Sequence, residues 1–168
     1  INIGAAKADF FRYAILFKKG GVYLDIDSLN MTKLDEFILS SDSAIISLET
    51  HKKFYVQWAL VFEAGHPFLE KTLDVVLDNL KSNRYPNDIH SMTGPAAFTT
   101  AINECLNGSN SIQYRELGPD YDGHFKFHYR FSKFFLYGID KYRFFRNIFP
   151  NLLIYKPYLQ NHSSRNYN

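Results

Sequence analysis

The sequence has little of what a disulfide-stabilised, membrane-spanning or strongly charged protein needs. It contains 168 residues and one cysteine, Cys105, which excludes an internal disulfide framework and any cysteine-based zinc site. The 19 Lys and Arg residues nearly balance the 17 Asp and Glu residues, and a net charge of +2 gives no case for a nucleic-acid partner. No apolar run approaches the length of a membrane span, and no secretory signal opens the chain.

What the sequence does contain is enough apolar material for a core. Hydrophobic residues make up 46% and aromatic residues 17% of the chain, which argues against disorder. The length suits one domain, 1–168, with the Tyr-, Phe-, Lys- and Arg-rich part 121–168 as a divergent C-terminal portion. Strands and helices alternate in the pattern, which predicts an α/β fold.

The individual elements follow from apolar spacing and from Gly and Pro positions. The pattern predicts helices at 5–19, 67–80 and 96–106, a short helical turn at 33–39, strands at 22–26, 43–48 and 112–117, and an apolar segment of either type at 54–62. Thr93 is the predicted cap of the helix 96–106. The chain runs into its first helix without a leading strand, so we expect a piece of a longer protein.

Two carboxylates, Asp25 and Asp27, come directly after the apolar run 22–24, where the strand is expected to end and turn. A hard cation such as Mg²⁺ or Mn²⁺ takes oxygen ligands and keeps other positions for phosphate oxygens and water. Such a metal neutralises a departing diphosphate as a Lewis acid, which is chemistry that a sugar nucleotide needs. The pair therefore predicts a metal and diphosphate site.

The Asp-x-Asp pattern has other interpretations besides a metal and diphosphate site. A calcium-binding loop is excluded, because Leu29 occupies a ligand position and Asn30 the required glycine, although Glu36 stands at the twelfth position. A phosphatase of the haloacid dehalogenase type fits 23–28 locally and would use Asp25 as nucleophile, but no clear match to its later Lys and acidic motif follows. A non-catalytic sugar- or nucleotide-binding module also stays open.

A longer block is more specific than Asp-x-Asp alone. The segment 5–16, with Asp9 and Arg12 in an Asp-x-x-Arg pattern, is followed by Gly20-Gly21 and by Asp25-Ile26-Asp27. Together these resemble the signature of the sugar transferases with a DXD motif, the glycosyltransferase family 32 group. This group includes initiating α-1,6-mannosyltransferases, α-1,4-galactosyltransferases and bacterial capsule enzymes, and the glucosylating domains of the large clostridial toxins look similar there.

The resemblance continues downstream as far as about residue 106. Gln57-Trp58 with Gly65-His66-Pro67-Phe68 looks like a segment of the mannosyltransferase branch, and Thr93-Gly94-Pro95 is similar to the family's T-G-P helix start. On the residues alone, we favour a structural role for His66 and a core position for Trp58.

The resemblance implies a GT-A fold, with a mixed sheet flanked by helices, and retention at the anomeric carbon. It also implies Mn²⁺ or Mg²⁺, a GDP-mannose or UDP-hexose donor, and a glycan or glycolipid acceptor. By position, Asp25 and Asp27 would hold the metal and diphosphate, while Asp9 and Arg12 would grip the donor sugar. The other implied donor-site residues are Tyr13, Gly21, Ile26, Gly94 and Pro95.

Simpler roles remain for several of these residues. Asp9 and Arg12 also fit an i,i+3 surface ion pair, which contributes little stability. Gly20 and Gly21 fit a helix end, and Gly94-Pro95 a plain helix cap.

The two ends of the chain depart from the family pattern. His162 can be aligned with a family histidine that reaches the metal site, which makes it a hypothetical third metal ligand; a solvated tail histidine is the alternative. The family's leading strand-helix portion, which binds the nucleotide base, is not found before the first helix. The compartment stays open between Golgi lumen, bacterial cytoplasm or inner-membrane face, and the host cell of a virus, as does membrane association.

Overall fold

Strands and helices alternate along residues 4–108 and 111–127, the part of the chain that the computed structural model describes. In chain order the elements are α1 (Gly4–Lys19), β1 (Gly21–Leu24), β2 (Ser28–Asn30), α2 (Leu34–Phe37), β3 (Ala44–Ser47), β4 (Ala59–Phe62), α3 (Pro67–Ser82), α4 (Ile89–Met92), α5 (Pro95–Asn107), β5 (Arg115–Leu117), a 3₁₀ helix (Pro119–Gly123) and β6 (Phe125–Phe127).

Four of the strands form a mixed sheet in the order β1-β4-β3-β5. β4 runs antiparallel to both of its neighbours, β1 and β3, and β5 is parallel to β3. The C-terminal ends of β1, β3 and β5 therefore lie at one edge of the sheet. β2 and β6 form a separate antiparallel pair. The predicted α/β class with a mixed sheet is confirmed.

Both faces of the sheet are covered, because alternate residues of its central strands enter two different apolar clusters. Ile46 and Leu60 pack with residues of α1, α3 and α5 in one cluster. Ile45 and Val61 face the other way, into a cluster that includes Tyr121 of the 3₁₀ helix. Every residue of β3 and β4 is buried, which explains why these strands read as continuous apolar runs.

The longer helices and the sheet strands occur where the sequence predicts them, but several of their first and last residues differ from the predicted ones. The strand predicted at 22–26 stops at Leu24, and the one predicted at 112–117 covers only β5. The segment 54–62, left open between strand and helix, contains β4. The sequence pattern did not indicate α4 or the β2–β6 pair, because three- and four-residue elements carry too few residues for a periodicity.

The prediction that Thr93 caps α5 is wrong. Gly94 is the N-cap residue of α5, and no side chain accepts a hydrogen bond there. The Thr93 side chain is buried and donates its hydroxyl to Asp9 instead. A tertiary partner has therefore replaced the local one, which sequence spacing does not reveal.

Gly20 ends α1 in a conformation and a space that exclude a side chain. Its φ is +65°, in the left-handed region, and a Cβ at this position would lie 2.7 Å from the backbone nitrogen of Ala64. The tight turn brings β1 back along α1, so the strand that leads to Asp25 is aligned against the helix that carries Asp9 and Arg12.

Some predictions concern residues outside the described ranges. The hypothetical metal ligand His162 and most of the divergent portion 121–168 are among them, and the single-domain prediction for 1–168 remains a prediction. Within the described ranges, no helix has the length and apolarity to cross a bilayer.

Candidate functional site

The Asp-x-Asp segment forms a tight turn at the sheet edge where β1 ends. The amide of Asp25 donates to the Trp58 carbonyl at 2.8 Å, which extends the β1–β4 pairing by one step. The amide of Ser28 then donates to the Asp25 carbonyl at 2.9 Å, which closes the turn. As a result, Asp27 is exposed and Ile26 points fully into solvent. The turn therefore presents carboxylates on an open surface.

Arg12 connects this turn to α1. Its Nη2 lies 3.2 Å from Oδ1 of Asp25 and 3.3 Å from Oδ1 of Asp9. Its Nη1 donates to the Gln57 carbonyl at 2.9 Å, and the guanidinium lies over the Tyr23 ring at 4.8 Å. A planar guanidinium has five N–H donors spread over three nitrogens, so it reaches more widely separated partners than the three donors of a single ammonium nitrogen. Arg12 is buried, so the interpretation as a surface ion pair is excluded.

Asp9 lies behind Arg12 and is almost saturated with hydrogen bonds. Its Oδ1 accepts from the Gln57 side-chain amide at 3.0 Å, and its Oδ2 accepts from the Thr93 hydroxyl at 2.8 Å. With the contact to Arg12, three of the roughly four accepting positions of a carboxylate are occupied. One accepting position of the Asp9 carboxylate is therefore left for a ligand hydroxyl. The residue itself is 7% exposed.

Tyr13 completes this buried network from α1. Its hydroxyl donates to the Thr93 carbonyl at 3.1 Å and accepts from the Gln57 side-chain amide. Burial raises the pKa of Tyr13 well above its ordinary value, so the hydroxyl stays protonated and donates. Tyr13 therefore contributes to the site by holding other residues, since it has no exposed surface for a donor.

The electrostatics of the turn favour a cation. Burial raises the pKa of Asp25, while Arg12 and the Tyr23 hydroxyl, 2.8 Å away, oppose that rise. Burial also raises the pKa of Tyr23 to about 12, so it remains a donor at neutral pH. The carboxylates of Asp9, Asp25 and Asp27 against the single guanidinium of Arg12 leave a formal charge of −2, which attracts a divalent ion.

The residues present fit a Mg²⁺ or Mn²⁺ ion that is shared with a phosphate ligand. Asp25 and Asp27 provide two carboxylates, and Asp27 is open to solvent. In the described ranges no three His, Cys, Asp or Glu side chains converge as a closed metal cage. Few protein ligands and an open face are what these ions use with substrate phosphates. Beside the pair, the buried Ser28 hydroxyl has no hydrogen-bond partner among the described residues, so the turn is not fully satisfied by itself.

The structure places the remaining predicted donor-site residues less directly. Gly94 is buried against α4, where a Cβ would lie 2.9 Å from Cα of His90, and Pro95 begins α5. Both belong to the connection that carries Thr93 toward Asp9. Gly21 begins β1, and the Ile26 side chain is fully exposed. Their roles as donor contacts remain predictions.

Three site residues were missed as functional candidates from the sequence: Tyr23, Gln57 and Thr93. Gln57 and Thr93 lie in the two downstream segments that resemble the family, and this resemblance could have indicated them as site residues. His66, by contrast, is structural as expected. Its Nδ1 accepts from the Phe68 amide at the start of α3, and its Nε2 lies 3.0 Å from the Gln113 carbonyl.

Comparisons with known proteins find similar chains among the sugar transferases. Residues 1–44 match the family described as the glycosyltransferase sugar-binding region containing the DXD motif. The initiation-specific alpha-1,6-mannosyltransferase of Candida albicans is 31% identical in an alignment that covers 66% of this chain and 37% of that protein. The Schizosaccharomyces pombe protein of the same name is 27% identical in an alignment that covers 60% of this chain and 32% of that protein.

A solved structure described as the PaToxG glycosyltransferase aligns with a TM-score of 0.52 at 24% identity, covering 63% of this chain and 37% of that one. The fold is therefore of the glycosyltransferase type, as expected for a GT-A arrangement. The chain is similar to the DXD-motif glycosyltransferases, and the family match lies in its first 44 residues. It spans about a third of the length of the curated relatives that it matches.

Proposed function

We propose that this chain contributes the donor site of a metal-dependent enzyme that transfers a hexose, with mannose as the first candidate, from a nucleotide sugar to a hydroxyl of a glycan or glycolipid. The observation that carries the proposal is the coupling of Arg12 to Asp25 at an exposed Asp-x-Asp turn. The two similar yeast proteins are initiation-specific alpha-1,6-mannosyltransferases, which supports mannose and therefore a GDP-linked donor.

Within this proposal Asp25 and Asp27 hold Mn²⁺ or Mg²⁺ together with the diphosphate. The metal, when bound, supplies Lewis-acid stabilisation of the charge on the leaving diphosphate. Arg12 fixes the Asp25 carboxylate, and Asp9 has one accepting position for a sugar hydroxyl, so the donor is oriented before reaction. The surrounding buried network prevents these side chains from rotating away.

Retention is the proposed outcome, as the resemblance to the sugar transferases with a DXD motif implies, and a same-face mechanism needs no covalent nucleophile from the protein. The bond between the anomeric carbon and the diphosphate oxygen breaks, and the acceptor oxygen forms its bond on the same face. The acceptor proton passes to the departing phosphate oxygen, so no protein base is needed. The anomeric centre is oxocarbenium-like during the exchange.

The phosphatase alternative is not favoured. It would require the Asp25 carboxylate to attack phosphorus, whereas Asp25 is held by Arg12 and Tyr23, and the family match is to sugar transferases. A turnover measurement distinguishes the proposed enzyme from a non-catalytic binding module. The binding module would retain metal-dependent donor binding and would release no free nucleotide diphosphate in the presence of an acceptor.

The test is a calorimetric titration of GDP-mannose, UDP-galactose and UDP-glucose, each with and without Mn²⁺. Wild type is compared with Asp27→Asn, which keeps shape and removes charge, and with Asp35→Asn on α2 as the exposed control. We expect Mn²⁺-dependent binding of one donor by wild type and the control, and at least tenfold weaker binding by Asp27→Asn. Metal-independent binding, equal binding by all three proteins, or no binding by the folded wild type would contradict the proposal.

A further inference from the structure

A second group of polar and aromatic side chains lies at the same sheet edge as the Asp-x-Asp turn. It comprises Glu49, His51, Phe54, His90 and Asp120, here called the Phe54 cluster. Phe54 is central: its ring makes T-shaped contacts with the His51 ring at 5.9 Å and the His90 ring at 4.6 Å, and Nζ of Lys53 lies over it at 5.0 Å. Nε2 of His51 lies 2.5 Å from the Glu49 carboxylate. None of the roles assigned above uses this cluster.

The sheet topology brings the cluster beside the donor turn. The C-terminal ends of β1, β3 and β5 share one edge, as described above. Asp25 follows β1, Glu49 follows β3, and Asp120 follows β5 within the 3₁₀ helix. Three strands therefore deliver their carboxylates to one side of the molecule.

Two short connections limit the distance between the cluster and Arg12. Phe54 is three residues from Gln57, whose carbonyl binds Arg12, so their Cα atoms are at most about 11 Å apart. His90 stands on α4 about one helical turn, or roughly 5 Å, before Thr93, which contacts Asp9. The cluster is therefore about one or two sugar rings away from the donor-site network.

The backbone beneath the cluster is well ordered by hydrogen bonds. The Glu49 amide donates to the Phe54 carbonyl at 2.9 Å, and the Lys52 amide donates to the Glu49 carbonyl at 2.7 Å, which forms a tight hairpin loop. The Thr50 hydroxyl donates to the Asp120 carboxylate and joins this loop to the 3₁₀ helix. Such a loop can hold its side chains in fixed positions for a ligand.

The residue types of the Phe54 cluster suit a saccharide ligand better than a metal ion. Phe54 is partly buried, whereas His51 and His90 are exposed, so this is a surface feature and not part of the core. No metal-binding group of three ligands is found among the described residues, and the cluster accordingly lacks a closed ligand set. A hexose offers an apolar C–H face for an aromatic ring and hydroxyls for carboxylate and imidazole partners.

We propose that the Phe54 cluster is the acceptor subsite and binds the hexose whose hydroxyl receives the transferred sugar. This inference rests on the proposed function. The acceptor sugar packs its C–H groups against the exposed His90 ring and the exposed part of Phe54, and its hydroxyls donate to Glu49 and Asp120. The acceptor is then held next to the donor site, which gives the cluster a role that the donor contacts do not provide.

The experiment separates acceptor binding from donor binding. Glu49→Gln and Phe54→Leu are compared with Glu36→Gln on α2 and Phe11→Leu on the exposed face of α1 as matched controls. The saccharide probes are α-1,6-mannobiose and lactose, with dissociation constants from ligand-observed NMR. Donor dissociation constants come from calorimetry with Mn²⁺, and circular dichroism checks folding.

We expect wild type to bind at least one of the two saccharides, and both cluster variants to weaken that binding about tenfold. Donor affinity should stay within about twofold in all variants, because none of the substituted side chains has a donor-binding role in the proposed function. Equal saccharide binding by wild type and both folded cluster variants would overturn the proposal, as would the failure of wild type to bind either probe. Saccharide binding lost in the cluster variants, without any donor binding by wild type, would support the subsite and count against the proposed function.

Discussion

Arg12 holds Asp25 across the gap between α1 and the end of β1, with Nη2 3.2 Å from Oδ1. The same guanidinium also contacts Asp9 and the Gln57 carbonyl, so one side chain joins three segments that are distant in sequence. Because Arg12 and Asp9 are buried, losing either one would leave a charge without its partner. The arrangement makes the position of the Asp-x-Asp turn depend on α1.

Arg12→Lys should lower kcat/KM for the nucleotide sugar by about 100-fold, the scale found when one positioned electrostatic partner is lost. Lysine keeps the charge but cannot reach both Asp25 and the Gln57 carbonyl with a single ammonium group. The measurement is donor turnover at saturating Mn²⁺. Arg84→Lys, at an exposed position, is the control and should have wild-type kinetics. Equal kcat/KM in wild type and Arg12→Lys would show that charge alone suffices.

Thr93→Val should destabilise the protein by about 1–3 kcal/mol, because it leaves the buried Oδ2 of Asp9 without its hydroxyl donor. Valine is close to threonine in shape, so packing changes little. Urea unfolding gives the free energy, with Thr100→Val on the exposed face of α5 as the control. A loss no greater than in the control would mean that Thr93 does not support Asp9.

Gly20→Ala should cost more stability than Gly21→Ala. Both glycines have positive φ, but only at Gly20 would the added Cβ meet backbone, 2.7 Å from the Ala64 nitrogen. We expect about 1–2 kcal/mol at Gly21 from conformational strain, and a larger loss at Gly20. Thermal unfolding is the measurement, and Gly4→Ala, which has open space around it, is the control. Equal losses at the two positions would remove the steric argument.

The unfolding free energy should fall as the pH decreases from 7 to 5, partly through His66. Burial lowers the pKa of His66 below its ordinary value of 6.5. The unfolded chain therefore binds the proton first, and the stability present above pH 6.5 is lost as the pH falls toward the folded pKa.

His66→Asn supplies the matched comparison for that pH effect. Asparagine can still accept from the Phe68 amide as an N-cap, but it does not titrate. Urea unfolding at several pH values should give a shallower decrease in the variant than in wild type. Parallel curves for the two proteins would show that His66 contributes nothing to the pH dependence.

The outline of the site was readable in the sequence, but the partners were not. Asp9, Arg12, Asp25 and Asp27 were predicted from a block of residue types in fixed register, and the structure joins Asp9 and Asp25 through Arg12. Gln57 is 48 positions from Asp9, and its hydrogen bond to that carboxylate has no local signature. Thr93 illustrates the same limit, since its spacing predicted a helix cap and its hydroxyl serves Asp9.

Local physical chemistry in the sequence determined the helices α1, α3 and α5, the apolar strands, and the turn that exposes Asp27. Those features depend on periodicity, on Gly and Pro, and on contacts between residues a few positions apart. The tertiary structure alone decided the strand order, the burial of Asp9 and Arg12, and the meeting of β1, β3 and β5 at one edge. These features depend on which distant segments pack together. A buried charge must be hydrogen-bonded, and its partners can come from any part of the chain.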